Sequence, residues 1–508
     1  MEQTEHTATL GADLGPGALI AFVGYLALVI GIGIWAARFS SAGVSEFFLG
    51  GRRMHRLVVA LSAVVSGRSA WLLLGVTGLA YSRGASALWA VAGYTTVELF
   101  LFLYYARRLR RFTAAYDCLT VPDFFAARFG ERPEARRLGA GAALLRLVLA
   151  AVILVFMIAY VAAQFVAGGK AFASGFGLDP TAGVLLTAGI VLAYTVLGGF
   201  LAVSLTDVAQ AVLMLFALVA LPAVAITAAG GWAAVAAELT ALDPALIDPL
   251  ALSAGALIGF AGIGLGSPGS PHVLARYMSI EDPEQLRWSA AVGTAWNALM
   301  AAGAVLTGLA GRALLPDPAA LPGGDVESLY PLLAGELLHP VLFGLVTAAI
   351  FAAIMSTADS QLLVAASSVV RDVWEKVARR GRPLPQRRLV LLSRAVVAAL
   401  VAAALALGLA ASELVFWLVL FAWAGLGAAL GPTSILALYW RRTTRAGVLA
   451  GFLTGTAVTF VWKLTPALSS RLYELVPAFA ASLAVTVAVS LATRPPEDAA
   501  AMMRAMRR

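Results

Sequence analysis

The 508-residue sequence contains a single cysteine, Cys118, and few charged residues. One thiol excludes an intrachain disulfide and argues against a metal site built from thiolates. Charged residues make up only 13% of the chain and hydrophobic residues 61%, whereas about 25% of a soluble domain is charged. Water is therefore not the main solvent of this chain. We expect an integral membrane protein without a separate soluble domain.

The formal net charge of +8 comes from basic residues that cluster in alternate connections between apolar runs. The clusters lie at residues 38–56, 107–137, 371–394, 441–445 and 504–508, and the connections between them are acidic or neutral. Basic residues are enriched in cytoplasmic loops of membrane proteins. The pattern predicts about thirteen transmembrane helices in the cytoplasmic membrane, with the N-terminus outside and the C-terminus inside. It favours the lipid bilayer, and not nucleic acid, as the partner of this chain.

The apolar runs predict an all-α, polytopic membrane protein. The predicted spans are residues 16–37, 56–82, 86–106, 138–170, 181–198, 203–229, 250–271, 287–312, 330–370, 389–410, 412–440, 444–463 and 473–493.

Two of these spans contain residues that an uninterrupted membrane helix would not carry. Ser66-Gly-Arg-Ser69 interrupts the second span, and Gly259–Pro271 holds five glycines and two prolines. A helix break frees backbone groups that lipid cannot satisfy, so it must line an enclosed polar cavity. Broken helices hold ions and substrates in secondary transporters. The alternative is that the glycines only allow close helix packing.

Motifs along almost the whole chain support a family assignment. They are Leu49-Gly-Gly-Arg52, Ala60-Leu-Ser-Ala63 with Trp71-Leu-Leu, Leu119-Thr-Val-Pro-Asp-Phe-Phe125, Gly198-Gly-Phe-Leu-Ala-Val-Ser204 with Thr206-Asp207, Pro271-His272 with Leu274-Ala-Arg276, Met355-Ser-Thr357 with Gln361-Leu-Leu, and Ala422-Trp-Ala-Gly425. In this order and spacing the chain resembles the sodium:solute symporter family, most closely its proline-transporting bacterial members.

The resemblance implies a leucine-transporter-like fold with a five-plus-five inverted repeat. Residues 1–55 would form an extra helix and the first cytoplasmic loop, residues 56–440 the ten-helix transport core, and residues 441–508 two further helices and a tail. The implied function is sodium-coupled uptake of a small organic solute, proline or another amino acid, by alternating access, with Na+ as the coupling ion and no enzymatic activity. The alternatives are proton-coupled or sodium-independent transport on the same fold, or a membrane sensor. The oligomeric state is not predicted.

The resemblance also implies a sodium site between the first break and the span that carries Ser356 and Thr357. Its ligands would be the carbonyls of Val65, Arg68 and Ala353 and the hydroxyls of Ser356 and Thr357. The alternative is that both hydroxyls bond to carbonyls of their own helix. A second, inner sodium site would use Asp207, Asp359 and Ser360, unless Asp207 only caps its helix.

For the substrate, the resemblance points to residues around the two breaks. Ser69, Ala70, Trp71, Tyr160 and Gln164 would surround the cavity, and Ile263, Ser267 and Ser270 of the second break would close it. Free amides at the break could meet a substrate carboxylate. The alternative for Trp71 and Tyr160 is ordinary packing or anchoring at the membrane interface.

The chain departs from its proline-transporting relatives at Gly67, where they have an aspartate, and at the following Arg68. An arginine at the middle of a membrane costs about 2.5–3.5 kcal/mol, so Arg68 needs an anion. We expect an ion pair with Glu98 or Asp359. The alternatives are that the guanidinium occupies the cation site, or that it faces the cavity and binds an acidic substrate. Arg52 is a further candidate for a gating ion pair.

Overall fold

A computed structural model describes residues 16–40, 44–129, 139–197, 199–382, 384–411 and 414–507. Gly198 of the quoted motifs and parts of the basic connections lie outside these residues. The described chain consists of helices and short connections, as the all-α prediction requires.

Twenty-two α-helices follow one another along the described chain. They are α1 (Pro16–Ser40), α2 (Val44–Leu49), α3 (Arg56–Ala70), α4 (Thr77–Arg83), α5 (Leu88–Phe100), α6 (Ala106–Ala115), α7 (Val121–Arg128), α8 (Ala140–Phe176), α9 (Pro180–Leu197), α10 (Phe200–Ala228), α11 (Trp232–Leu242), α12 (Ala254–Ala261), α13 (Pro271–Ser279), α14 (Leu286–Leu314), α15 (Leu329–Leu337), α16 (Pro340–Ser367), α17 (Gln386–Ala410), α18 (Val415–Tyr439), α19 (Arg445–Lys463), α20 (Pro466–Ser469), α21 (Leu475–Ala492) and α22 (Ala499–Ala505). Wider π-helical turns join α3 to α4 and α5 to α6, and Ser368–Ala378 extends α16.

The number of membrane passes follows from ten helical stretches that are long and apolar enough to cross a bilayer in the described part of the chain. One of them, Arg56–Ala115, reverses at Gly84, whose φ of 66° favours glycine. The Trp71 ring lies 6.3 Å from the Tyr94 ring, whereas the earlier Arg68 pairs with the later Glu98, so the two halves run antiparallel. With the shorter α9 and the interrupted α12–α13, the passes number thirteen.

Both predicted helix breaks are present. In the first, Ser69 has φ 50° and ψ −174°, so the helix axis is interrupted between Arg68 and Trp71. In the second, α12 ends at Ala261, Gly262–Gly269 forms a tight 3-10 segment, and an extended Ser270 leads into α13. The glycines and prolines of this segment explain why a regular α-helix does not continue through it.

The ten helical passes between Arg56 and Tyr439 divide into two series of five, and each series begins with a broken helix. The third pass of each series is the longest, Ala140–Phe176 with 37 residues and Pro340–Ala378 with 39. One predicted boundary is wrong, because the span expected at 330–370 is split. His339 and Pro340 begin a new helix after the short α15, and proline is favoured at such a first helical position.

The ends of the core on the side of the α6–α7 loop are joined by backbone and ionic contacts. Met54, just before α3, donates its N–H to Ser279 O at 3.1 Å, and its carbonyl accepts from Glu281 N at 3.1 Å. Helix α7 is buried, and its Asp123 contacts Arg146 of α8 at 2.8 Å and Arg371 beyond α16 at 3.1 Å. These contacts connect the basic loop to the ends of the two longest passes.

Candidate functional site

The first helix break faces α16 through oxygen atoms. The Ser356 hydroxyl lies 3.5 Å from the carbonyl of Val65 and 3.2 Å from that of Ala353, and the Thr357 hydroxyl donates to the carbonyl of Ser66 at 3.2 Å. All of these residues are buried. Ser356 therefore contacts its own helix and the break, whereas Thr357 contacts the break. Such a set of neutral oxygens suits a hard monovalent cation, because it offers ligands without burying a full negative charge.

The structure differs from the expected ligand set at one carbonyl. The carbonyl of Arg68 accepts from the N–H of Trp71, and it is the carbonyl of Ser66 that meets Thr357. The helix break is centred on Ser69, so the carbonyls of residues 65 and 66 belong to the last helical turns before it.

The Arg68 side chain points away from these oxygens, toward α5 and α14. Its guanidinium pairs with the Glu98 carboxylate, its Nε donates to Asn297 Oδ1 at 2.6 Å, and Asn297 donates in turn to Glu98 at 3.1 Å. The side chains of Arg68 and Glu98 are 1% and 3% exposed. Of the two expected partners, Glu98 is the one in contact. The two alternatives placed the guanidinium in the cation site or in the cavity, and neither describes this geometry.

The Arg68 guanidinium also packs against the face of an aromatic ring. The guanidinium carbon of Arg68 lies 3.3 Å from the centroid of the Tyr94 ring, and Tyr94 donates to the carbonyl of Gly67 at 3.0 Å. A Cβ atom at residue 67 would lie 2.7 Å from the Tyr94 hydroxyl. Tyr94 can therefore occupy this position only because residue 67 has no side chain.

Arg52 is far from this pair. It donates to Asp117 at 3.3 Å and to the carbonyls of Thr113 and Cys118. Asp117 is largely exposed, so the ion pair of Arg52 belongs to the loop between α6 and α7.

A second polar cluster surrounds Asp207 on α10. The Asp207 carboxylate accepts from Ser62 at 2.6 Å and from Ser66 at 3.3 Å, and Ser66 lies 3.3 Å from Ser360. Asp359 is buried beside Ser360, whose hydroxyl is 3.1 Å from its carboxylate. Asp207 does not cap its helix, because Gly199 occupies that position. The structure thus brings together the three residues of the expected inner site.

Sequence reasoning missed a cation in this cluster. Arg276 of α13 contacts Asp207, Ser62 and Ser360. It belongs to the quoted motif Leu274-Ala-Arg276, and a buried arginine near a buried aspartate was the available signal.

A narrow cavity lies between the two breaks. Its walls are mostly aromatic and aliphatic, and its lining residues are Gly67, Trp71, Tyr94, Tyr160, Ile263, Val419, Leu420 and Trp423. Trp71, Tyr160 and Ile263 were expected here. Tyr94 and Trp423 were not, although Trp423 lies in a quoted motif and Tyr94 precedes Glu98 by one helical turn.

The other expected substrate residues lie near the breaks but do not line this cavity. Gln164 accepts from the N–H of Ala70 at 3.1 Å, and Ser69 accepts from the N–H of Trp71 at 3.1 Å. Ser270 donates to the carbonyl of Gly266 at 3.1 Å, and the hydroxyl of Ser267 is buried with no hydrogen-bond partner among the described residues. The break amides of residues 70 and 71, expected to be free, are therefore already satisfied by side chains.

Relatives with known names cover nearly the whole chain. This chain is 37% identical over 468 residues to the osmoregulated proline transporter OpuE of Bacillus subtilis (strain 168). The alignment covers 92% of this chain and 93% of the relative. It is 38% identical over 470 residues to the high-affinity proline transporter PutP of the same strain, with 92% and 96% covered. The sodium/proline symporter of Staphylococcus aureus (strain JH9) is 36% identical, with 93% and 92% covered.

Solved structures share the fold. A substrate-bound, outward-open Na+-coupled sialic acid symporter superposes with a TM-score of 0.79 at 18% identity, covering 95% of this chain and 99% of the other. The nucleobase-cation-symport transporter MHP1 gives a TM-score of 0.56 at 14% identity, with 92% and 100% covered.

The sequence profile described as "Sodium:solute symporter family" matches residues 47–455. This match includes both breaks, α16 and the aromatic cavity. The chain therefore belongs to the sodium:solute symporter family, and it is a multi-pass membrane transporter, not an enzyme.

Proposed function

We propose that this protein uses a sodium gradient to take up proline, or an amino acid of similar size, across the cytoplasmic membrane. The observation that carries the proposal is the contact of Ser356 and Thr357 with the carbonyls of Val65 and Ser66. It joins α16 to the first break through oxygens alone. A sodium ion would be held there by the Val65 and Ala353 carbonyls and the two hydroxyls.

The walls of the cavity support a small, compact substrate. Flat apolar surfaces are offered on several sides of the cavity by Trp71, Tyr94, Tyr160 and Trp423. Aromatic faces pack well against a saturated ring. Trp423 is held by a hydrogen bond from its indole N–H to the carbonyl of Ile263 at 2.8 Å. Aromatic surface from α18 and α5 thus adjoins the second break, where Ile263 itself contributes none.

The proposed orientation follows from loop charge. Basic residues such as Arg107, Arg110 and Arg111 lie in α6, and Arg441 and Arg442 lie between α18 and α19, which begins at Arg445. With these connections in the cytoplasm, the N-terminus lies outside and the C-terminus inside. The substrate cavity then opens to opposite sides of the membrane in turn.

The test is uptake of radiolabelled proline into proteoliposomes that contain the purified protein. An inward sodium gradient is compared with equal gradients of potassium and choline, and with a proton gradient at constant sodium. We expect concentrative uptake only with sodium, and competition by unlabelled proline but not by bulky aromatic amino acids. Uptake driven by the proton gradient alone, or exchange without any gradient, would contradict sodium coupling. Sodium-driven uptake of another solute in preference to proline would contradict the substrate assignment.

A further inference from the structure

Four aromatic rings follow one another around the narrow cavity between the two breaks. The ring centroids of Trp71 and Tyr94 lie 6.3 Å apart, those of Tyr94 and Trp423 5.6 Å, and those of Trp423 and Tyr160 6.5 Å. Neighbouring rings are inclined to each other by 44° to 83°, so they surround the cavity on several sides and do not form one stack. Such cages of aromatic faces recognise quaternary ammonium groups.

The charge of a substrate ammonium group is not met by a carboxylate in this cavity. The lining residues contain no acidic or basic side chain. The Arg68 guanidinium lies over the Tyr94 ring, but its partner Glu98 neutralises it. Attraction of an ammonium group therefore depends on the aromatic faces and on the oxygens of the backbone.

The backbone oxygens at the cavity walls already accept hydrogen bonds from the protein. The carbonyl of Gly67 accepts from the Tyr94 hydroxyl at 3.0 Å, and the carbonyl of Ile263 accepts from the indole N–H of Trp423 at 2.8 Å. Both donors are themselves cavity residues. The rings of the cage thus occupy the acceptors that the N–H groups of a substrate would use.

The oxygens of the first break are engaged in the same way. The N–H of Trp71 donates to the carbonyl of Arg68 and to the hydroxyl of Ser69. The side-chain oxygen of Gln164 accepts from the N–H of Ala70 at 3.1 Å. An ammonium group of a primary amino acid brings three N–H groups to these walls, and that of proline brings two.

Hydrogen-bond donors, in contrast, are left over beside the cavity. The indole N–H of Trp71 and the side-chain NH₂ of Gln164 are buried and have no acceptor in the described part of the chain. Both donors suit a carboxylate. Ser267 and His272 also hold unpaired polar atoms among the described residues, but neither side chain lines the cavity.

We infer that the cavity binds the carboxylate of its substrate by hydrogen bonds and the ammonium group by aromatic faces alone, so that N-methylated amino acids are transported as well as proline. The inference rests on the proposed function. It names quaternary ammonium carboxylates of the size of proline as a further substrate class, because their methyl groups replace N–H groups that the site does not pair. Tyr94 is the specificity-determining residue, since its ring forms one wall and its hydroxyl occupies the Gly67 carbonyl.

The experiment measures how well a matched series of compounds inhibits sodium-driven uptake of radiolabelled proline into proteoliposomes. The series is proline, N-methylproline and N,N-dimethylproline, with cyclopentanecarboxylate as the analogue that lacks the positive charge. A site that hydrogen-bonds the N–H groups of its substrate would reject the methylated compounds by a factor of about 10⁴–10⁵. We expect both of them to inhibit within about tenfold of proline, and cyclopentanecarboxylate to be more than about tenfold weaker. Radiolabelled N,N-dimethylproline should itself be accumulated with a sodium gradient.

Tyr94→Phe tests the role of the hydroxyl, because it keeps the ring and frees the Gly67 carbonyl. This variant should favour proline over N,N-dimethylproline by about tenfold more than the wild type does, since a hydrogen bond to a charged group is regained only by proline. The matched control is Tyr81→Phe. Tyr81 is also buried and donates to a carbonyl, that of Leu315 at 2.7 Å, but it does not line the cavity. The control should keep the selectivity of the wild type.

Inhibition by N,N-dimethylproline that is more than tenfold weaker than inhibition by proline would overturn the inference and leave sodium-driven proline uptake intact. Unchanged selectivity in folded Tyr94→Phe would contradict the role given to Tyr94, and if that variant does not fold, the wild-type series still decides. Titration of tryptophan fluorescence with each compound needs no ion gradient. It tests the aromatic cage separately, so that a failure of sodium coupling is distinguished from a failure of this inference.

Discussion

At the scale of single residues, Ser356 and Thr357 are the side chains through which α16 reaches the first break. We predict that Ser356→Ala or Thr357→Ala raises the sodium concentration for half-maximal uptake about tenfold or more. An interaction with a charged group is worth about 1.5–3 kcal/mol, and about 1.4 kcal/mol corresponds to a factor of ten. The amount of folded protein should change little, because each variant removes little volume.

The control for these hydroxyls is Thr459→Ala. Thr459 is buried in α19 and bonds to its own helix at Gly455. Sodium activation in this variant should match the wild type. Wild-type sodium activation in both Ser356→Ala and Thr357→Ala would mean that the ion binds elsewhere.

The Arg68–Glu98 pair predicts that stability lost on replacing Arg68 is recovered when Glu98 is replaced as well. Arg68→Met should lower the free energy of unfolding by about 3–5 kcal/mol, because it leaves the Glu98 carboxylate buried without its cation. Adding Glu98→Gln should restore much of that loss, since the amide keeps the shape and needs no counter-charge. Thermal unfolding in detergent measures both effects.

An exposed pair provides the comparison for this rescue. Arg107 contacts Glu284, which is half exposed, so Arg107→Met should cost no more than about 1 kcal/mol. If Glu98→Gln gives no recovery in the Arg68→Met background, the pair does not account for the burial of Arg68.

At the scale of elements, the first break depends on the backbone of Ser69. Its φ of 50° lies in the region that favours glycine. Ser69→Gly and Ser69→Ala both remove the hydroxyl that accepts from Trp71, and they differ only in Cβ. We predict that Ser69→Ala is less stable than Ser69→Gly by about 1–2 kcal/mol. Thermal unfolding of the two variants side by side tests this, and equal stability would show that the break relaxes at another residue.

The elements also show how far the sequence could predict this protein. Hydropathy and loop charge located thirteen passes, and glycine, proline and serine located both breaks, because these signals are local in the chain. Glu98 could be named as a partner of Arg68 because few carboxylates lie within the spans. Arg276 could not be placed beside Asp207 in the same way, since that contact depends on the rotation and depth at which α13 meets α10. The carbonyl of Ser66, and not that of Arg68, faces Thr357 for the same kind of reason.

At the scale of the whole molecule, Asp123 of α7 joins the loop around that helix to both long passes. Burial alone would raise the pKa of Asp123, but Arg371 and Arg146 together outweigh it and hold that pKa below its usual range. The stabilisation is thus fully present above the ordinary carboxyl pKa of about 3.9, and it is lost as the pH falls toward the lower value of the folded state.

Asp123→Asn tests this dependence. The free energy of unfolding of this variant should be lower than that of the wild type by a constant amount between about pH 5 and pH 8. The difference between the two proteins should narrow only below about pH 4. Thermal unfolding at each pH gives the measurement. If the two proteins already become equally stable near pH 6, that result would contradict the depressed pKa of Asp123.

The backbone contact between Met54 and the segment at Ser279–Glu281 has a mechanical consequence. Two hydrogen bonds fasten the start of the first broken helix to the end of the second, so α3 and α13 are coupled to each other at this end of the molecule. We expect a swing of either half to carry the other, so that the joined ends of both broken helices move as a unit. Under the proposed function, one common opening would then release the sodium ion and the substrate on this side of the membrane, and neither would leave while the other stays bound.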